Sequence, residues 1–349
     1  MRIAIALSGG IDSSAAAWLL KKQGWDVWGV TMRHFSDSEL GFAKGEGIEA
    51  VIEQAARVCD HLQIPHRVID VQETFSQTVI RNLIKEYKSG RTPNPCTLCN
   101  RVIKWGRFLE GINALGIEKM ATGHYIRLRF EKELYHLYRS GDKQKDQSYM
   151  LWQLSQQQLD KTEFPLAELT KTDARRIILE NDIPVSIHKE SQEICFIKDH
   201  YKEFLRDKID LVPGDIVLTS GEIIGQHCGL HLYTIGQRKG LQTMMNVVLF
   251  VKELDIRNNR LVVTTKLEEL ERTEFEINQV NWIAEIPEAE EELEVQIRYN
   301  SSSQAVEKLI YREDSLQVRL KKPVLAITPG QSAVFYRGDE LLGGGIILR

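Results

Sequence analysis

The chain has 349 residues, 42% hydrophobic and 27% charged, with a net charge of −4. That is long for one core, so two or three domains are expected, and the balance is that of a soluble globular protein. No apolar run is long enough to span a bilayer, so no membrane association is expected, and Met1-Arg2 lead straight into an apolar strand pattern rather than a targeting segment. Five cysteines, an odd number, argue against a disulfide framework and for a reducing, cytoplasmic location. The net charge does not point to a nucleic-acid partner, nor does it exclude one, because local clustering of charge is what matters.

Taken in chain order, the first two hundred residues alternate strand and helix patterns. IAIAL (3–7) and WDVWGVTM (25–32) read as strands, separated by a helical SSAAAWLLKKQG (13–24) that Gly24 closes. A helix is expected over 49–64, a strand over 66–71, helices over 73–87 and 100–116, and a strand over 119–125. Strands joined by helices of this length predict a doubly wound α/β domain with a parallel sheet, assigned to 1–207. From about residue 210 the sequence alternates apolar and polar residues between Gly, Asn and Asp turns. This predicts a small β domain over 208–275 and a β-barrel over 276–349. Positive charge gathers in KSGR (88–91), NRVIKWGR (100–107), GQRKG (236–240) and RLKKP (319–323); singly, each reads as solvated surface.

Directly after the first strand comes SGGIDS, Ser8 to Ser13, opening the first helix. A glycine turn at a helix N-terminus presents backbone N–H groups to an anion, and the two serine hydroxyls can add to them. Asp12, a carboxylate beside phosphates, makes sense through a bound Mg²⁺. No lysine or third glycine falls where the two commoner nucleotide loops need one. Among the cysteines, Cys96 and Cys99 form a CxxC, and Cys99 precedes a helical pattern carrying Arg101, Lys104 and Arg107. A helix N-terminus and nearby cations favour a thiolate, the nucleophilic form. Cys195 in EICFI reads locally as a buried apolar thiol, and Cys59 and Cys228 as structural.

SGGIDS resembles the pyrophosphatase loop of enzymes that split ATP into AMP and pyrophosphate. PNPCTLCN (93–100), ATGHY (121–125), KDQSYML (145–151), FPLAELTKTDAR (164–175), SQEICFI (191–197), YTIGQRKGL (233–241) and IRYNSSSQAV (297–306) together resemble the bacterial tRNA-specific 2-thiouridylases, in family order along nearly the whole chain. The resemblance implies ATP-dependent adenylation of O2 of the wobble uridine in a tRNA anticodon, followed by replacement of that oxygen with sulfur. It implies ATP contacts at Ala6, Leu7, Ser8, Gly9, Gly10, Ile11, Asp12 and Ser13, with Met32 and Gly123 beyond the loop. It places the thiol nucleophile at Cys99 and a persulfide-carrying cysteine at Cys195. Target-base contacts fall on Asn94, Pro95 and Cys96, and further tRNA contacts on His124, Lys145, Asp146, Gln147, Arg298, Tyr299 and Gln331. A sulfur-donor protein, a cysteine desulfurase or a relay protein, is the implied partner beside tRNA.

Cys96 departs from the commoner family pattern, which has an aspartate there. Either the sulfur travels as a persulfide with Cys96 a bystander, or Cys96, Cys99 and Cys195 hold three irons of a [4Fe–4S] cluster. Zinc, with His188 as a fourth ligand, and a transient Cys96–Cys99 disulfide are weaker readings. An amide-forming ligase with the same loop would have no use for Cys99 and Cys195. A tRNA- or nucleotide-binding module would show no turnover.

Overall fold

The computed structural model describes residues 1–43, 46–185, 194–198, 201–241, 243, 245 and 247–348. Its first layer is a five-stranded parallel sheet, with β1 (Arg2–Ala6) at the centre. On one side lie β2 (Asp26–Arg33) and β3 (His66–Asp70), and on the other β4 (Lys119–Ala121) and the short strand Thr162–Glu163. The α/β expectation for the N-terminal part is met. Alternation along β1 sends Ile3 and Ile5 to one face and Ala4 to the other. Ile3 and Ile5 pack on Ala15, Ala16 and Leu20 of helix α1 (Ile11–Lys22) and on Val58 of helix α2 (Gly47–Leu62). Ala4 joins Trp105, Phe108, Ile112 and Met120 beneath the opposite layer. Both faces being covered is what makes β1 near-continuously apolar, whereas the edge strand β3 is largely exposed.

The helical run expected over 73–87 is found as Gln72–Phe75, Ser76–Ile80 and Arg81–Lys88, the middle segment in π geometry. The helix expected to open at residue 100 instead begins at Pro95, with the Asn94 side chain accepting from the Cys96 N–H. Proline at the first helical position and asparagine before it are an ordinary start signal. The run then widens into π geometry over Cys99–Phe108, and Gly106 there has a non-helical backbone (φ −103°, ψ −105°).

The rest is β. Gly214–Leu218, Ile223–His227, Phe250–Asp255 and Arg260–Thr264 form a four-stranded sheet. The helix Tyr201–Lys208, whose Leu205 is buried, packs into the same core as Ile216 and Leu230. Glu271–Trp282 pairs with both Leu316–Leu325 and Glu340–Ile347, closing a six-stranded barrel, as the sequence pattern leads one to expect. The expected division at 275/276 falls inside that first strand; a 3₁₀ turn, Leu267–Leu270, leads into it.

A hairpin from the N-terminal part, Arg127–Glu131 with Leu134–Tyr138, adds to the last barrel strand, Leu137 opposite Leu341. His136 Nδ1 lies 2.7 Å from Glu340 Oε1 beside this join. Among the described residues no helix is long and apolar enough to cross a membrane.

Candidate active site

The loop after β1 is shaped by close packing. Gly9 has a positive φ of 67°, and a Cβ there would lie 2.6 Å from the Gln54 side chain and 2.9 Å from the Ala55 nitrogen. Only glycine lets the loop lie this close to α2. Ser13 Oγ donates to the Gly10 carbonyl at 3.2 Å and lies 3.2 Å from Ser8 Oγ, so both hydroxyls face the turn. Gly123, just past β4, stands against the same helix start: its Cβ would meet the Ser13 nitrogen at 2.7 Å.

Two cavities flank the loop. The first, of about 250 Å³, is lined by Ala6, Leu7, Ser8, Asp12, Ser13, Met32, Gly123, His124 and Gln147, all expected as site residues. Val30, Val51 and Phe108 give it apolar walls, as a purine base requires. His34 and Lys104 also line it. The second, of about 290 Å³, is polar, with Ser8, Gly10, Ile11, Asp12 and Ser13 joined by Lys145, Lys171 and Tyr299. The barrel thus contributes Tyr299 to the wall of the loop's own pocket.

Asp12 is not left bare. Lys171 Nζ lies 2.7 and 2.8 Å from its two oxygens, and the Tyr125 hydroxyl donates to it at 2.7 Å. A carboxylate oxygen is the donor type a magnesium ion takes, and in this structure the Asp12 charge is held by Lys171. Lys171 stands at the start of the helix Lys171–Glu180, whose Thr170–Asp173 capping box fixes it. Lys171 and Tyr125 lie in FPLAELTKTDAR and ATGHY, where nothing local marks either as a partner of Asp12.

Lys104 is the cation of the sulfur side. Its charge acts on Cys96, Cys99 and Cys195 and on both cavity histidines. Its Nζ is 3.5 Å from His124 Nε2, while His124 Nδ1 is 2.7 Å from Thr122 Oγ1. An ammonium only donates, so Nε2 accepts and Nδ1 carries the proton. Burial, with Lys104 adding to it, pushes the His124 pKa far down and keeps the ring neutral.

The thiolate expected at Cys99 is not what the structure supports. The helix begins at Pro95, so its N-terminal turn holds Cys96 and not Cys99, and Arg101 and Arg107 are exposed, Arg107 reaching Glu110. Burial pushes the Cys99 thiol up to about 12, against the pull of Lys104. Cys96 is raised too, chiefly by burial. Cys195 is exposed as a residue, yet the atoms crowding its sulfur raise its pKa, and Cys99 and Cys96 add to the rise. Its Sγ lies 3.3 Å from His34 Nε2. Cys59 is fully buried, in line with a structural role. No cysteine is disulfide-bonded among the described residues. His188 lies outside the described residues.

Several expected tRNA contacts turn inward. Arg298 donates to the Ala326 carbonyl and to Thr328 Oγ1, with the Ile235 carbonyl at 3.5 Å, so its guanidinium joins the two β units. Asp146 accepts from Arg139, from the Ser140 N–H and from the Ser148 hydroxyl, holding its own loop. Gln331 Nε2 donates to the Thr92 carbonyl at 2.6 Å. Lys145, Gln147 and Tyr299 remain at the pockets, with Gln147 Oε1 also accepting from the Tyr125 N–H.

An anion cradle at the mouth of a parallel sheet, beside a half-apolar cavity whose His34 meets the Cys195 sulfur, defines an α/β protein of the nucleotide-binding class. Comparison with known proteins gives the family. The model described as "tRNA methyl transferase HUP domain" matches residues 1–199, the "tRNA methyl transferase PRC-barrel domain" 202–265, and the "Aminomethyltransferase beta-barrel domain" 272–347. The tRNA-specific 2-thiouridylase MnmA of Natranaerobius thermophilus is 43% identical over 100% of this chain and 97% of its own length. That of a Synechocystis species is 41% identical over 99% and 96%, and MnmA 1 of Caldanaerobacter subterraneus subsp. tengcongensis is 41% identical over 99% and 97%. This chain belongs to the tRNA-specific 2-thiouridylase family.

Proposed function

We propose that this chain replaces O2 of a tRNA uridine with sulfur, at the cost of one ATP split into AMP and pyrophosphate. The observation carrying this reading is that His34 and Lys104 line the nucleotide cavity while facing the cysteines, so the adenylating and sulfur-handling halves share one wall. The nucleoside fits the apolar cavity, and the phosphates fit the loop N–H groups, Ser8 and Ser13. Magnesium held by Asp12 would neutralise phosphate charge, and Lys171, displaced from Asp12, stands beside the same phosphates. Uracil O2 attacks the α-phosphorus, pyrophosphate leaves, and the base becomes an adenylate whose AMP is a good leaving group.

Sulfur then arrives from a persulfide on Cys195. Its terminal sulfur adds to C2 and AMP departs. The Cys99 thiol attacks the Cys195 sulfur, forming a Cys99–Cys195 disulfide and freeing the thiocarbonyl; an external dithiol, itself oxidised to a disulfide, restores the two thiols. Cys96, held protonated by burial, stands beside this reaction as a proton donor in place of a carboxylate. The alternative, a [4Fe–4S] cluster on Cys96, Cys99 and Cys195, fits these side chains less well. The Cys195 sulfur is engaged by His34 Nε2 at 3.3 Å and would have to leave that contact to bind iron.

Reaching a stacked anticodon base requires extruding it. Tyr299, partly exposed beside the loop pocket, offers an aromatic face, and Lys145 a phosphate contact, while Asn94 and Pro95 shape the approach to Cys96. A cysteine desulfurase or relay protein supplies the persulfide. The test is incubation with unmodified tRNA, ATP and a persulfide donor. Release of AMP and pyrophosphate that depends on tRNA, with 2-thiouridine formed, supports the reading. ATP cleavage without any thiolated nucleoside, or full thiolation by a Cys99→Ala/Cys195→Ala double variant, sinks it.

A further inference from the structure

His34 has no part in the scheme above, yet it is buried at the junction of the nucleotide cavity and the cysteines. Its ring is clamped edge-on by Phe35 at 4.6 Å and by Phe75 at 5.0 Å between centroids. Phe75 packs in turn on Phe196, the residue after Cys195, at 5.3 Å. One aromatic cluster therefore fixes both the imidazole and the cysteine, and the 3.3 Å approach of Nε2 to Sγ is a consequence of core packing.

The hydrogen bonds also fix the tautomer. His34 Nδ1 lies 3.3 Å from the Met32 carbonyl, which can only accept, so Nδ1 carries the proton. In a neutral ring Nε2 then has the lone pair, and the Cys195 S–H donates to it. Burial pushes the ring's pKa down to about 4, with the Lys104 charge adding to the effect, so the imidazole is neutral at rest and holds a proton only in passing, while the S–S bond forms. At rest the pair is thus a neutral thiol–imidazole hydrogen bond rather than a thiolate–imidazolium pair. Lys104, Cys96 and Cys99 are the other titratable groups acting on the Cys195 sulfur.

We infer that His34 is a catalytic base for loading Cys195: it takes the thiol proton as Cys195 accepts sulfur. This rests on the persulfide reading of the site. The Cys195 sulfur attacks the outer sulfur of a donor persulfide, R–S–SH, as its proton passes to His34 Nε2. The donor S–S bond breaks, a new S–S bond forms on Cys195, and the departing thiolate R–S⁻ takes the proton back from the imidazolium. Cys–SH and R–S–SH become Cys–S–SH and R–SH, with no net oxidation or reduction.

The test needs neither ATP nor tRNA. The intact protein is mixed with glutathione persulfide, and the mass gain of the Cys195 peptide is followed in time. At neutral pH, His34→Ala and His34→Gln should both load about 10²-fold more slowly, the usual scale for removing a positioned base. Glutamine can accept a hydrogen bond but cannot take the proton, so its failure separates proton transfer from positioning. Added imidazole should restore loading at least about tenfold in the alanine variant, where it can occupy the vacated space, and not in the glutamine variant. Both variants are first shown to be folded by thermal unfolding. Wild-type loading rates in a folded variant, or no rescue of a folded His34→Ala protein, overturn the role of His34 alone. If wild-type Cys195 takes up no sulfur, the persulfide reading falls, and the inference with it.

Discussion

Gln331, in the loop before the penultimate barrel strand, donates to the carbonyl of Thr92, four residues ahead of Cys96. Thr92 returns the contact by donating its N–H to the Pro329 carbonyl at 2.8 Å, and its hydroxyl lies 3.1 Å from that of Thr234 in the other β unit. Both β units therefore hold the loop that delivers the CxxC. Gly330 has a φ of 92°, and its Cβ would lie 3.0 Å from the Thr92 backbone. Gly330→Val should cost about 1–3 kcal/mol and slow thiolation. Thermal unfolding together with a rate assay checks it; unchanged turnover would mean that the clamp does not position the cysteines.

Arg298 offers a choice between two roles. If its guanidinium mainly joins the β units, Arg298→Ala loses charge-assisted hydrogen bonds and should destabilise the protein by about 2–3 kcal/mol. If it mainly grips tRNA, stability will hold while tRNA affinity falls. Denaturant unfolding beside a tRNA-binding titration separates the two.

Asp12→Asn removes the carboxylate charge that Lys171 now neutralises. ATP cleavage should fall by about 10²-fold or more, with tRNA affinity largely retained. Loss of tRNA binding in parallel would place Asp12 on the RNA side instead.

The Cys99 thiol, pushed up to about 12, sets a pH signature. Because its raised pKa keeps it protonated, iodoacetamide labelling should climb about tenfold per pH unit from 7 to 11 without levelling. A plateau near pH 9 would show that Lys104 outweighs burial. Cys99→Ser should abolish 2-thiouridine formation, and wild-type levels would remove its assignment as nucleophile.

Cys59 is fully buried against β2, where a Cβ on Gly29 would come within 2.2 Å of its sulfur. Its pKa rises from 9.0 to about 12 in the fold. The group is thus protonated in both states below pH 9. Above that the unfolded chain loses the proton first, so stability falls as pH rises from 9 towards 12. The slope is about 1 kcal/mol per pH unit, and Cys59→Ala should flatten it between pH 9 and 10. Urea unfolding of both proteins at the two pH values measures this.

What the sequence made legible was local. IAIAL, SGGIDS and the helix after it lie within twenty residues, and their strand, turn and cap signals are sufficient without the rest of the fold. His34 and Cys195 are 161 residues apart, and Lys171 and Asp12 159, so no spacing rule could join them. The expected thiolate failed for a related reason: a helical pattern counts neighbouring cations but does not show that Arg101 and Arg107 point to solvent, nor how much protein covers Cys99. Arg298 and Gln331 stand in motifs that suggested RNA, yet their side chains are occupied inside. The hairpin at 127–138 went unread because the strand it needs is two hundred residues further on.

That hairpin bears on how the chain is made. Leu134–Tyr138 has a free edge until Glu340–Ile347 has been synthesised, and the barrel closes only when that same strand meets Glu271–Trp282. At about 5–20 residues per second, the edge waits on the order of 10–40 s on the ribosome. A nascent chain stalled before residue 340 would carry a folded parallel sheet, an unpaired strand edge and an open barrel. Such a species is a natural client for chaperones, and a truncation there should aggregate rather than yield a smaller working enzyme.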